Sequence, residues 1–68
     1  MTRKMDAQLV HEAQRRCNGA TRHAVDQIIY TLPMLIRVYN KSKGDYKAAV
    51  GKQIDDLEGN LWALAHRR

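Results

Sequence analysis

Two apolar ladders occupy the second half of this chain, and they constrain its fold more than any other feature. Val25, Ile28, Leu32, Leu35 and Tyr39 recur at spacings of three and four, and so do Val50, Ile54, Leu57, Leu61 and Leu64. Residues at those spacings share one face of an α-helix, so each ladder predicts an amphipathic helix whose seam needs a partner. Both ladders are expected to be buried along their length. Met5, Leu9, Ala13 and Cys17, with Val10 beside them, form a weaker stripe at spacing four. The expected architecture is all-α: a three-helix antiparallel bundle in one domain, residues 1–68.

The turn signals place the boundaries. Asn18-Gly19 stops the first helix, since both residue types tolerate the left-handed conformation. Lys41-Ser42-Lys43-Gly44-Asp45 forms a second polar break, with Asp45 as N-cap of the third helix. The predicted helices are residues 4–18, 21–41 and 46–66. Short connections make neighbours antiparallel. Pro33 falls inside the second helix, where it removes a backbone donor and crowds the preceding turn. The ladder stays in phase across it, which predicts a kinked helix rather than two short ones. Gly51 and Gly59 fall inside the third, each costing about 1 kcal/mol relative to alanine unless a neighbouring helix approaches closely.

A chain of 68 residues is small enough that folding buries only about 60% of the surface its unfolded form exposes. Cys17 is the only cysteine, so no internal disulfide supports the fold. Oligomerisation is the remaining common support. Ile29 and Ile36 widen the apolar face of the second helix beyond what one neighbour covers, so a homodimer through that helix is expected. The charged opening residues and the absence of an apolar run after them predict no signal peptide. The greasiest segment, Ile28 to Ile36, is far shorter than the roughly 20 residues of a membrane span. A cytoplasmic location with no membrane partner is expected.

Lysine and arginine number 12 against 7 acidic residues, a net charge of +5 that favours an acidic protein surface or nucleic acid as partner. An up-down-up bundle gathers Arg15, Arg16, Arg22, His23, His66, Arg67 and Arg68 at one end. Arginine grips carboxylates and phosphates with a planar fork, so this end is the candidate docking surface. Trp62 is the candidate anchor, tryptophan being enriched at interface hot spots. Helix electrostatics explains part of the pattern, because cations are favoured at helix C-termini, where Arg15, Arg16 and His66 fall. Arg22 and His23 oppose the dipole at the start of the second helix, although Asp26, one turn on, is placed to neutralise Arg22.

Catalytic and metal motifs do not emerge. His11, Cys17 and His23 are spaced by six, which scatters them around a helix, and no CxxC, HxxxH or HExxH occurs. Cys17 would need a histidine and an orienting acid to act as a nucleophile, with His66 and His23 the only candidates at its end. A helix-turn-helix at Gly19 or Gly44 fits poorly, since the second option puts Asp55, Asp56 and Glu58 on the reading helix. The sequence therefore predicts a basic, non-enzymatic interaction protein with no cofactor. It would block or bridge an acidic partner, with a DNA- or RNA-binding regulator as the rival reading.

Overall fold

The computed structural model describes residues 2–66. It holds three helices: α1 (Ala7–Arg16), α2 (Gly19–Lys41) and α3 (Gly44–Ala65). At 1.5 Å per residue, the 23 residues of α2 and 22 of α3 span about 34 and 33 Å. The molecule measures 38 × 16 × 16 Å, so both long helices lie along its long axis. Only Ser42 and Lys43 separate them, which forces the two helices antiparallel. A helix-turn-helix crossing of about 90–120° between α2 and α3 does not fit that shape.

Boundaries differ from the sequence expectation for identifiable reasons. α1 starts at Ala7 rather than residue 4, because the Asp6 carboxylate accepts the Leu9 N–H at 3.1 Å and caps it there. It ends at Arg16 because Cys17 is already extended. Asn18 is extended as well (φ −145), so Gly19 alone is left-handed (φ +62) and opens α2 two residues early. The second connection repeats the first: Ser42 and Lys43 are extended and Gly44 has φ +65. A side chain in that region costs roughly 1–2 kcal/mol, and only glycine escapes it. α3 therefore begins at Gly44 with Lys43 as N-cap. Asp45 is not the cap but a first-turn acid that favours the helix dipole. The Ser42 hydroxyl donates to the Val38 carbonyl at 2.6 Å and ties off α2.

α2 continues unbroken through Pro33, as the in-phase ladder requires. The Thr31 hydroxyl donates to the Gln27 carbonyl at 3.0 Å, a bond that also loosens a helix, so two bend-promoting features share one turn.

One core joins the three helices: Ala13 of α1 and Cys17 just after it, Val25, Leu32 and Ile36 from α2, and Val50, Ile54, Leu61 and Ala65 from α3. Both ladders contribute, but each is rotated from its expected centre. Ile28, Leu35, Tyr39, Leu57 and Leu64 are only half-buried, whereas Ile36, expected to be surplus, is core. The rotation follows from α1 and the arm before it, which pack against one side of the α2–α3 pair and draw that side inward. Ile36 is thus covered within one chain and gives no reason for a second copy, while Ile29 is half-buried against the same core.

The glycines of α3 split. A Cβ on buried Gly51 would lie 3.0 Å from Cε2 of Tyr39, so this glycine admits the tyrosine ring. A Cβ on Gly59 would meet nothing within 4 Å. Close approach explains the first and not the second.

Candidate functional site

The end of the bundle where α1 finishes, α2 begins and α3 finishes brings together most of the residues expected to dock a partner. Glu12 organises it. Its carboxylate lies 3.4 Å from Arg16 Nε and 3.1 Å from His66 Nε2. The other ring nitrogen of His66, Nδ1, lies 2.9 Å from the Trp62 carbonyl oxygen. The imidazole stacks on the Trp62 indole with centroids 4.3 Å apart and planes inclined by 26°. Trp62 nevertheless remains 57% exposed. Between α1 and α3 it borders a shallow cleft of about 200 Å³ with Asp6, Gln8, Leu9, Glu12 and His66.

The arginines at this end do different jobs. Arg22 Nε donates to Asp26 at 2.9 Å, and its Nη1 donates to the Gln14 carbonyl at 2.8 Å. The expected neutralisation by Asp26 is present, and the second bond makes Arg22 a strap between α2 and the last turn of α1. Arg16 is half-engaged with Glu12. Arg15 is exposed and forms no ion pair among the described residues. His23 is exposed beside Gln27 at 3.4 Å. Arg67 and Arg68 lie outside the described residues. Cys17 is buried and its thiol donates to the Leu64 carbonyl at 3.3 Å, while His66 is occupied by Glu12 and the Trp62 carbonyl. The cysteine–histidine pair considered for nucleophilic chemistry does not assemble. Among the described residues no three histidine, cysteine or carboxylate side chains converge on a metal position. No described helix is long and apolar enough to cross a membrane.

The opposite end contains a cluster whose pairings sequence reasoning did not foresee. The arm before α1 is clamped to the end of α2 by two reciprocal bonds: Arg3 N–H donates to the Asn40 side chain at 2.8 Å, and the Asn40 amide donates to the Arg3 carbonyl at 3.1 Å. The Arg3 guanidinium then reaches Asp55 at 2.7 Å and Glu58 at 3.9 Å on α3. It also lies 4.8 Å from the Tyr39 ring centroid, as does Lys47 Nζ. Arg3 is thereby held even more firmly protonated than usual, chiefly by its bond to Asp55. The one available sequence signal was the acidic pair Asp55 and Glu58, three residues apart on one helix face and in need of a cation.

The two carboxylates respond to Arg3 with opposite shifts. The hydrogen bond from Arg3 lowers the Asp55 pKa, whereas burial raises that of Glu58 despite Arg3 nearby. Asp55 therefore contributes stability above the unfolded value of about 3.9, lost as pH falls through its lower folded value. Glu58 has the reverse sign: its proton is held more tightly in the folded state, so stability declines as pH rises from about 4.3 through the raised value. Denaturant titrations across pH should show Glu58→Gln flattening the upper window and Asp55→Asn flattening the acid limb below it. An unchanged acid limb in Asp55→Asn would mean that the Arg3–Asp55 pair does not form in solution.

The outer face of α2 is the other unexpected surface. Tyr30, Met34 and Val38, spaced by four, are 66%, 55% and 38% exposed. Arg37 and Lys41 lie among them, exposed and without an ion pair among the described residues. On the flank toward α3, Thr31 and Leu35 join Gln53, Asp56 and Leu57 around a shallow, mostly apolar groove of about 360 Å³. No family model matches this chain, and no curated protein or solved structure matches it. Its surface alone therefore carries the functional argument.

Proposed function

We propose that this chain is a small basic binding protein, without enzymatic activity, that works as a homodimer through α2 and docks on an acidic macromolecular partner. Its action is occupancy, blocking or bridging the partner. The observation that carries this reading is the pairing of a largely exposed tryptophan with arginines on one end of the bundle. Trp62 stacks on His66, which meets Glu12, and Arg16 reaches the same carboxylate from α1, with exposed Arg15 next to it in the chain. Tryptophan and arginine are the residue types that most often dominate binding energy at protein interfaces. Arg67 and Arg68, which lie outside the described residues, and exposed His23 complete the proposed set. Arg22 contributes less, because its guanidinium is already committed to Asp26 and Gln14. The single buried thiol of Cys17 supports action in a reducing compartment, the cytoplasm.

A protein partner is favoured over nucleic acid by what accompanies the cations. Tyr46 and Trp62, both off the α2 face, are exposed. Aromatic side chains are enriched at protein interfaces, whereas phosphate contacts are made by charged and polar groups.

Titration with a random-sequence DNA duplex and an RNA strand, at low and moderate salt, separates the two. No micromolar binding at low salt is expected. Binding that collapses with salt would instead signal counterion release from phosphates and overturn the protein-partner reading. For a protein captured by the wild type, Trp62→Ala and the double reversal of Arg15 and Arg16 to glutamate should each abolish capture. Arg22→Ala would act through stability and is not the diagnostic change.

A further inference from the structure

We infer that the His66 imidazole is a proton-operated latch between α3 and α1, closed while the ring carries two N–H groups and open when it loses one. The latch is a property of the single chain. Its consequence for docking rests on the reading of Trp62 as the anchor, because the indole is what the latch holds.

Donors and acceptors define the two states. His66 Nε2 lies 3.1 Å from a Glu12 carboxylate oxygen on α1, and Nδ1 lies 2.9 Å from the Trp62 carbonyl oxygen on α3. A carbonyl oxygen and an ionised carboxylate only accept. Both contacts are therefore hydrogen bonds only when both ring nitrogens carry hydrogen, which is the imidazolium. A neutral ring has one N–H for two acceptors. The carboxylate is the stronger acceptor and keeps that hydrogen on Nε2. The bare lone pair of Nδ1 then faces the carbonyl oxygen at 2.9 Å, and the ring swings away from it. The proton leaves to solvent, which reaches about a third of the side chain (32% exposed). The same step removes the positive charge from the face of the Trp62 indole, on which the ring stacks at 4.3 Å.

The surroundings make this more than a local rearrangement. From α1, Glu12 also holds Arg16 at 3.4 Å, and Asp6 lines the same cleft. Release of His66 leaves Glu12 with Arg16 and unties the end of α3 from α1. From α2, this end receives Arg22, committed to Asp26 and the Gln14 carbonyl, and exposed His23. The buried Cys17 thiol donates to the Leu64 carbonyl. Arg67 and Arg68 follow His66 in the chain, outside the described residues. The His66 backbone N–H also donates to the Trp62 carbonyl, at 3.0 Å, so the main-chain cap of α3 persists while the side chain moves. Closed, the latch holds a cation against an exposed indole, an arrangement suited to an acidic surface. Open, it leaves Trp62 without its stacking partner and the cleft of about 200 Å³ without one wall. Histidine is the side chain whose charge changes between about pH 5 and 8, so docking is favoured toward the acid side of that range.

Trp62 is the only tryptophan, so the intrinsic emission of the purified chain reads the latch directly. An imidazolium in contact quenches an excited indole by accepting an electron, and a neutral imidazole does so far less. Emission should rise in one step as pH is raised from about 5 to 8. His66→Gln should abolish the step with an unchanged helical circular dichroism spectrum, whereas His11→Gln and His23→Gln should retain it. Glu12→Ala should shrink the step, because the ring loses its hold on α1. A flat emission profile, or a step that survives His66→Gln, would overturn the latch. A full step in Glu12→Ala would overturn its tie to α1. A clean step in a chain whose Trp62→Ala variant still captures its partner would instead sink the docking reading and leave the latch standing.

Discussion

Replacing Leu32 by alanine should cost about 2–5 kcal/mol, the range for removing a fully buried leucine when its surroundings relax only partly. Leu32 is 2% exposed and lies at the middle of α2, between the core residues Val25 and Ile36. A domain of this size has a total stability of about 3–10 kcal/mol. Each kcal/mol lowers its melting temperature by about 4–8 °C, so the variant should melt far below the wild type or not fold at all. Leu57→Ala supplies the comparison. It belongs to the partner ladder but is half-buried on the rim of the α2–α3 groove. Its loss should fall clearly below that of Leu32→Ala, because water already reaches part of the side chain and the groove wall can relax outward. Thermal melts of the two variants side by side check this. Equal losses would mean that the groove is closed in solution and that the ladder is buried along its whole length.

The second large effect is a contrast between two glycines given the same substitution. Gly51→Leu should destabilise by about 1–3 kcal/mol, the usual range for overpacking. Its Cβ alone would stand 3.0 Å from the Tyr39 ring and 3.6 Å from the Arg3 guanidinium. Moving the ring would disturb the two cations over it, since Arg3 and Lys47 each lie 4.8 Å from its centroid. Displacing it would also loosen the clamp between Arg3 and Asn40 that fixes the arm to α2. Gly59→Leu should instead stabilise by about 0.5–1 kcal/mol, because an exposed helical glycine costs backbone entropy and no neighbour objects to a side chain there. Opposite signs in denaturant unfolding are the expected result. A loss at both positions would mean that helix propensity is not what limits Gly59.

How far the sequence could be read depended on whether the relevant physics was local. Helix formation is local, so the stripe from Met5 to Cys17 and the two ladders announced α1, α2 and α3, and the turn residues located the breaks to within a few positions. Left-handed glycine is local too, but which residue adopts it is not. Asn18 and Gly19 were equally eligible by type, and only Gly19 took the conformation. The pairing of Arg22 with Asp26 was legible because it spans one helical turn. The bond from Arg22 to the Gln14 carbonyl was not, because it depends on where α1 crosses the start of α2. The same holds for Glu12, which reads in sequence as one more surface acid and in the fold ties Arg16 to His66 under Trp62.

By itself, then, the sequence determined that this chain makes three amphipathic helices in short-linked antiparallel order, with a basic surface and arginines gathered at one end. Those properties follow from periodicity, turn chemistry and net charge, each set by residues a few positions apart. Tertiary structure decided which arc of each helix became core, because α1 and its arm cover only one side of the α2–α3 pair. That choice buried Ile36, left Leu57 on a groove, and turned Tyr30, Met34 and Val38 outward. It also drew Arg3 across 52 positions of chain to Asp55. Contacts over such separations carry no period and no spacing, so only the packed molecule reveals them.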